Sequence, residues 1–413
     1  MLVLLIKIGL VLIAWYEIIF LLFPYVIPIT SDTRVGKIAI TLLLALAISL
    51  FGIHDLKEVK CQNKFLSGLL FISLLSIYIG PKFPMQVNGV DVTNSWMWIS
   101  FARILILFFL FVVLSSVNIS RGKIRDIFNV LSISTTFMAI YVIFQKLGFE
   151  QYFNIKSTDL IGSVTNPNII GNLGQSTIVA PFLGLGILTA IYLKKFIRFV
   201  ICLAGMMICM SLMVYGAVGL SFVIFLILRS RINLKERKFV IPFILISLLF
   251  VGVAVCNFNK ILTSKMDNGR FARWAIVIEN IKHQKIGETL DRSYPFTGAG
   301  LNSFHVIHSK LNDTGGTQTI KWSSSHNVYV DILYCLGFIG LVLTLGAIWH
   351  TAAYSYPALY LNLDLTVFLL SSFFYFILLS CGSFAIFLSP YDFIFVLITA
   401  FLHNPNVLKG EIK

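Results

Sequence analysis

Met97-Trp98-Ile99-Ser100-Phe101-Ala102-Arg103-Ile104-Leu105-Ile106-Leu107-Phe108-Phe109-Leu110-Phe111-Val112-Val113-Leu114-Ser115-Ser116-Val117 holds one charged side chain among 21 residues. As a helix rising 1.5 Å per residue, it spans the ~30 Å hydrocarbon layer of a bilayer. The same pattern recurs on both sides. Apolar runs bounded by polar or Pro/Gly breaks fall near 2–23, 38–54, 65–80, 97–117, 127–147, 169–193, 197–211, 214–229, 239–257, 326–349, 365–386 and 391–403. That makes about twelve spans.

The composition agrees with that reading. The 413 residues are 58% hydrophobic and 12% charged, with a mean hydropathy of +0.89. A water-soluble enzyme is excluded, because soluble domains are about a quarter charged. The expected fold is all-α, a polytopic membrane protein. Met1–Phe23 reads as a span rather than a leader: it has full length, carries Lys7 and Glu17, and shows no small-residue cleavage site before Pro24. The run Phe196–Leu228 exceeds one span and falls short of two, so it is expected to fold back at Met213–Val214 as a short re-entrant hairpin.

Thirty-two Lys and Arg against 18 Asp and Glu give a net charge of +14. The basic residues cluster in alternate loops: Lys57, Lys60 and Lys64; Arg121, Lys123 and Arg125; Lys194, Lys195 and Arg198; then Arg229, Arg231, Lys235, Arg237 and Lys238. Positive loops stay cytoplasmic, so the excess reports topology, with both termini inside, and no nucleic-acid partner is implied. Lys409 and Lys413 agree, while Thr351–Asp364 lacks Lys and Arg and is neutral. The alternation leaves residues 258–325 on the outer side as a single long loop in one membrane domain, 1–413. No repeated halves are visible, which disfavours an inverted-repeat transporter. Cys61, Cys202, Cys209, Cys256, Cys335 and Cys381 form no CxxC pair and lie in or beside apolar runs, so they read as small buried hydrophobes.

Within the loop, Phe271, Trp274, Ile278 and Ile281 recur at helical steps, the apolar stripe of an amphipathic helix on the membrane surface. Asn268 can cap it, and Arg270 and Arg273 stand near its start. Helix N–H groups with two guanidinium forks can seat phosphate oxygens, or the arginines can simply meet lipid headgroups. Tyr294-Pro295-Phe296-Thr297-Gly298-Ala299-Gly300 follows, its glycines permitting a tight turn with close backbone approach. His305 and His308 stand three apart without a third metal ligand at a convincing spacing. Last comes Ser323-Ser324-Ser325-His326-Asn327-Val328-Tyr329, where polar sequence meets membrane, then Leu336-Gly337-Phe338-Ile339-Gly340. An imidazole there suits a general base; it equally suits a helix cap or an interfacial anchor.

Taken together, these pieces resemble the bacterial O-antigen ligase and polymerase family: Arg270 with Trp274 four residues on, the Gly298-Ala299-Gly300 turn, His326-Asn327-Val328-Tyr329, and Gly337-Phe338-Ile339-Gly340. Gly162-Ser163-Val164-Thr165-Asn166-Pro167-Asn168 looks like the family's Asn-Pro-Asn element, so the resemblance covers roughly 160–345. It implies a GT-C-like membrane fold in the bacterial inner membrane. The implied activity moves a glycan from a polyprenyl (undecaprenyl) diphosphate carrier to an acceptor hydroxyl, without metal or other cofactor, on the periplasmic side. The acceptor is lipid A–core in the ligase branch, another lipid-linked glycan in the polymerase branch, and a protein hydroxyl in a third; a secondary transporter or flippase is the rival of a different class. Carried over by residue, Arg270 matches the diphosphate-binding arginine and His326 the base, with Arg273, Asn327, Gly298 and Gly300 beside the substrate. One departure stands out. Where the family usually has an arginine at the outer end of a short hairpin, this chain has Tyr215 within Met213-Val214-Tyr215-Gly216-Ala217. Arg273, Arg103 or Arg292 can replace that cation, or the Tyr215 hydroxyl can reach a phosphate oxygen. Arg103, ionisable inside an apolar run, is expected to face the donor cavity, pair with Glu17 or reach the outer headgroups.

Overall fold

Lipid offers the backbone no hydrogen-bond partner, so a run of membrane length has to close its N–H and C=O groups within itself. The computed structural model describes residues 1–22, 33–53, 63–79, 85–87, 90–92, 95–148, 176–209, 211–230, 270–283, 285–286, 289–290, 294–301, 303, 325–360, 363–382 and 391–409. Within them every expected apolar run contains a helix; the run near 239–257 lies outside the described residues. In chain order the helices are α1 (Leu2–Leu22), α2 (Thr33–Ile53), α3 (Lys64–Ile79), α4 (Ser95–Ser116), α5 (Arg121–Lys146), α6 (Ser176–Tyr192), α7 (Phe196–Cys209) and α8 (Leu212–Ser230). They continue with α9 (Arg270–His283), α10 (Tyr294–Thr297), α11 (Val328–Ser355), α12 (Leu363–Leu379), α13 (Tyr391–His403) and α14 (Pro405–Lys409). Three stretches, Met97–Ser116, Arg121–Lys146 and Val328–Tyr360, are long and apolar enough to cross a membrane, and the remaining apolar helices are shorter over their described length.

Several hydroxyls inside these helices are satisfied by their own backbone. Ser49 donates to the Ala45 carbonyl at 2.7 Å, Thr189 to Leu185 at 2.7 Å and Thr399 to Phe395 at 2.7 Å. A polar side chain can therefore sit in an apolar helix without seeking a partner elsewhere.

The expectations need three adjustments. Helices outrun their apolar windows: α5 begins at Arg121, so Arg121, Lys123 and Arg125 are helical rather than in a loop, and α11 reaches Ser355 before a 3-10 turn over Tyr356–Tyr360. Hydropathy locates the span, whereas backbone hydrogen bonding carries the helix on into the polar region. Two small antiparallel ribbons also occur, β1 (Met85–Val87) with β2 (Val90–Val92), and β3 (Lys285–Ile286) with β4 (Thr289–Leu290). Asn88-Gly89 separates the first pair, a strong two-residue hairpin signal that the search for spans passes over. The hairpin after Phe196 breaks between Cys209 and Leu212, a few residues before the expected Met213–Val214.

Two cores organise the bundle. The larger unites α1, α2, α4 to α8, α12 and α13 around fully buried Phe128, Phe182, Phe373 and Phe401. The smaller joins Ile77 of α3, Met97 of α4, Val277 of α9, Ala299, Leu301 and the first half of α11 through Val328, Ile332 and Tyr334. The long loop therefore rests on an apolar base of its own.

Candidate active site

The smaller core carries the His326 turn. Asn327 is the N-cap of α11, with extended backbone at φ −145° and ψ 113°. Its side-chain oxygen accepts from the Tyr329 and Val330 N–H groups at 3.0 and 3.3 Å, two of the donors a helix start leaves unpaired. Asp331, in the first turn, accepts from the Ser325 N–H at 2.9 Å. Ser325 is fully buried, and its hydroxyl accepts from Asn327 N–H at 3.2 Å while donating to the Asn327 carbonyl at 2.9 Å. These bonds close the loop on either side of His326 and hold it at φ 59°, in the left-handed region. Histidine is among the few non-glycine residues that enter that region with any frequency. The turn is also fixed from the far side: the Val328 N–H donates to the Ser380 carbonyl at 3.0 Å, and the Tyr329 hydroxyl to the Ile377 carbonyl at 3.2 Å, both at the end of α12.

Helix α9 is tied to this turn through Trp274. The Trp274 indole N–H donates to the Ser325 carbonyl at 3.0 Å, so the residue one turn after Arg270 is bonded to the residue before His326. Arg270 and Trp274 are four apart and Arg273 is adjacent, neighbouring positions on one side of the helix. The inward side of α9 carries fully buried Val277 with half-buried Trp274 and Ile281, whereas Ile278, expected in the apolar stripe, is 62% exposed. The indole tether turns Val277 into the smaller core, and α9 packs on α11.

The glycine turn has a different neighbour from the one its sequence suggests. Gly298 and Gly300 have φ of 76° and 99°, and α11 is interrupted at Gly337, φ 66° and ψ −166°. A break in a helix leaves the carbonyls of the preceding turn without their usual donors. Here the Tyr334 and Cys335 carbonyls accept from the Ala299 and Gly300 N–H groups at 2.8 and 2.9 Å. A Cβ on Gly298 would lie 2.3 Å from the Cys335 carbonyl, and one on Gly337 would lie 2.2 Å from the Phe296 oxygen. The close backbone approach is thus between the glycine turn and the broken helix, a clamp beneath the His326 turn.

Two other expected substrate contacts are engaged by protein. Arg103 is bonded to a carboxylate: its Nε and Nη2 donate to Asp392 Oδ2 at 2.9 and 2.5 Å, with the Asp392 side chain 3% exposed. The signal for Asp392, a carboxylate heading an apolar run, was as legible as that for Arg103. The Tyr215 hydroxyl donates to the Met207 and Met206 carbonyls at 2.8 and 3.2 Å, closing the α7–α8 hairpin. The hydroxyl expected to reach a phosphate oxygen is thus bonded to the main chain. Arg292, His305, His308, Asn268 and Gly162–Asn168 lie outside the described residues, and the side chains of Arg270, Arg273 and Glu17 are likewise not described.

The curated proteins contain no match to this chain. The hairpin with Tyr215, the arginine helix, the glycine clamp, the His326 turn and the Gly337 break nevertheless all fall inside residues 197–345, a segment that matches the family model described as O-antigen ligase and so supports an O-antigen ligase family assignment.

Proposed function

We propose that this membrane protein transfers a glycan from a polyprenyl diphosphate carrier to an acceptor hydroxyl at the periplasmic face of a bacterial inner membrane, with lipid A–core as acceptor. The match of residues 197–345 to the O-antigen ligase family model supports glycosyl transfer of the ligase or polymerase type. The observation that carries the finer reading is the indole-to-carbonyl bond tying the Arg270 helix to the His326 turn. In this reading His326 removes the acceptor hydroxyl proton as that oxygen attacks the anomeric carbon. The bond from that carbon to the diphosphate oxygen breaks, and the departing diphosphate gathers negative charge. Arg270 and Arg273 take up that charge, since a guanidinium fork matches phosphate oxygens two at a time and remains cationic throughout. Seating donor and acceptor on one rigid turn supplies proximity.

The test is genetic and biochemical. The gene is expressed in strains lacking either the ligase or the polymerase, and lipopolysaccharide is resolved on a gel. The reading expects a ladder restored on lipid A–core in the ligase-deficient strain, lost with His326→Ala at unchanged protein level. Rescue only of the polymerase-deficient strain would move the acceptor to another lipid-linked glycan, and full rescue by His326→Ala would remove the base. Transfer by purified protein should also persist in excess chelator, since this reading places arginines where other enzymes hold a metal ion.

A further inference from the structure

A second cationic site lies at the far end of the bundle. Met97, at the start of α4, lies against the glycine clamp, where a Cβ on Gly300 would come 2.6 Å from its Cε. Helix α4 runs 22 residues from Ser95 to Ser116, roughly 33 Å, and α5 opens soon after, at Arg121. At that end a cavity of about 270 Å³ is lined by Arg125, Asp126, Asn129, Leu193, Lys195 and Arg198. We propose that it seats the phosphate of an anionic membrane lipid in the leaflet opposite the His326 turn; that this leaflet is the cytoplasmic one rests on the orientation proposed above.

The topology rule explains why basic residues collect at this end, but not why they converge on one concavity. Convergence comes from the tight turn between α6 and α7. Lys194 adopts φ 57°, and the Lys195 N–H donates back to the Ala190 carbonyl at 2.9 Å, which returns the chain toward the first turns of α5. Arg198 is then fixed from α7 to α5 by Nη1 donating to Asn129 Oδ1 at 2.7 Å. That bond uses one of the five N–H donors of a guanidinium. The single acidic lining residue, Asp126, bridges to Lys7 at 3.6 Å, so its charge is offset from α1 and the cavity stays cationic. What separates a lipid from a free phosphate is the neighbouring apolar pair. Phe196 and Ile197, between Lys195 and Arg198, are 75% and 73% exposed. Acyl chains would cover them while the headgroup meets the cations, the pairing of apolar and basic groups that interfacial lipid recognition uses. Inorganic phosphate would leave them bare.

The full-length protein in mild detergent would be titrated separately with phosphatidylglycerol, phosphatidylcholine and inorganic phosphate, and bound adducts counted by native mass spectrometry. Phosphatidylglycerol should be retained and phosphatidylcholine should not. At about 1 kcal/mol per basic side chain, Arg125→Gln with Arg198→Gln should weaken retention about thirtyfold. Lys195→Gln alone, in an exposed turn, should weaken it about fivefold and keeps the test alive if the double variant does not fold. Equal retention of phosphatidylcholine, undiminished phosphatidylglycerol in these variants, or inorganic phosphate retained as firmly as the lipid would each overturn the proposal. None of these readouts depends on glycan transfer, so failure here is distinct from failure of the proposed activity.

Discussion

The Trp274 indole N–H and the Ser325 carbonyl meet at 3.0 Å, so a loop helix and a membrane-helix cap, 51 residues apart, share one hydrogen bond. Ser325 is fully buried, so its carbonyl has no water to fall back on when that donor is removed.

Trp274→Phe keeps an aromatic ring but deletes the N–H donor along with part of the indole. An unsatisfied buried carbonyl costs about 1–3 kcal/mol, and a small displacement of the arginine helix can lower a rate about a hundredfold. We expect glycan transfer to fall at least about tenfold, measured as ladder intensity against protein level. Wild-type transfer by this variant would show that the bond does not position the site.

His326 offers a way to separate backbone strain from chemistry. At φ 59° a glycine is unstrained, whereas alanine retains the left-handed penalty of about 1–2 kcal/mol. His326→Gly should therefore melt above His326→Ala in detergent, while both fail to restore a ladder. If His326→Gly retained transfer, the imidazole would serve only to hold the turn.

Gly337→Ala tests the clamp. Its Cβ would fall 2.2 Å from the Phe296 oxygen, in a contact where both sides are backbone. The left-handed φ alone is worth about 1–3 kcal/mol, so the melting temperature should drop by several degrees and transfer should be lost with it. A variant of unchanged stability would mean that α11 can straighten without the turn.

The Arg103–Asp392 pair predicts a non-additive result. Asp392→Asn leaves a largely buried guanidinium uncompensated, a loss of about 3–5 kcal/mol. Arg103→Met combined with Asp392→Leu should recover most of that stability and retain transfer, because neither charge is then stranded. Loss of transfer in a stable double variant would instead give Arg103 a direct role toward the donor.

The sequence exposes the spans because their physics is one-dimensional: an apolar run in lipid has no option but helix, and the match between runs and helices needs no long-range information. The cap at this junction is equally local, but it falls on Asn327 rather than on His326, the residue the sequence offered for it. Arg103 was legible as an anomaly but not as half of a pair, since Asp392 is 289 residues away and nothing in its neighbourhood names a partner. Gly298 and Gly337 each announced a backbone that needs freedom without saying what comes close.

By itself, then, the chain determines a helical membrane protein, the order of its motifs, and which residue types are available for handling phosphate and protons. Only the tertiary structure decided that the glycine turn closes on the broken α11, that Tyr215 is bonded to its own hairpin, and that Trp274 delivers the arginine helix to the His326 turn. The physical reason is range. Helix formation and capping are settled within a few residues, whereas a hydrogen bond between distant segments depends on how whole helices pack and rotate about one another.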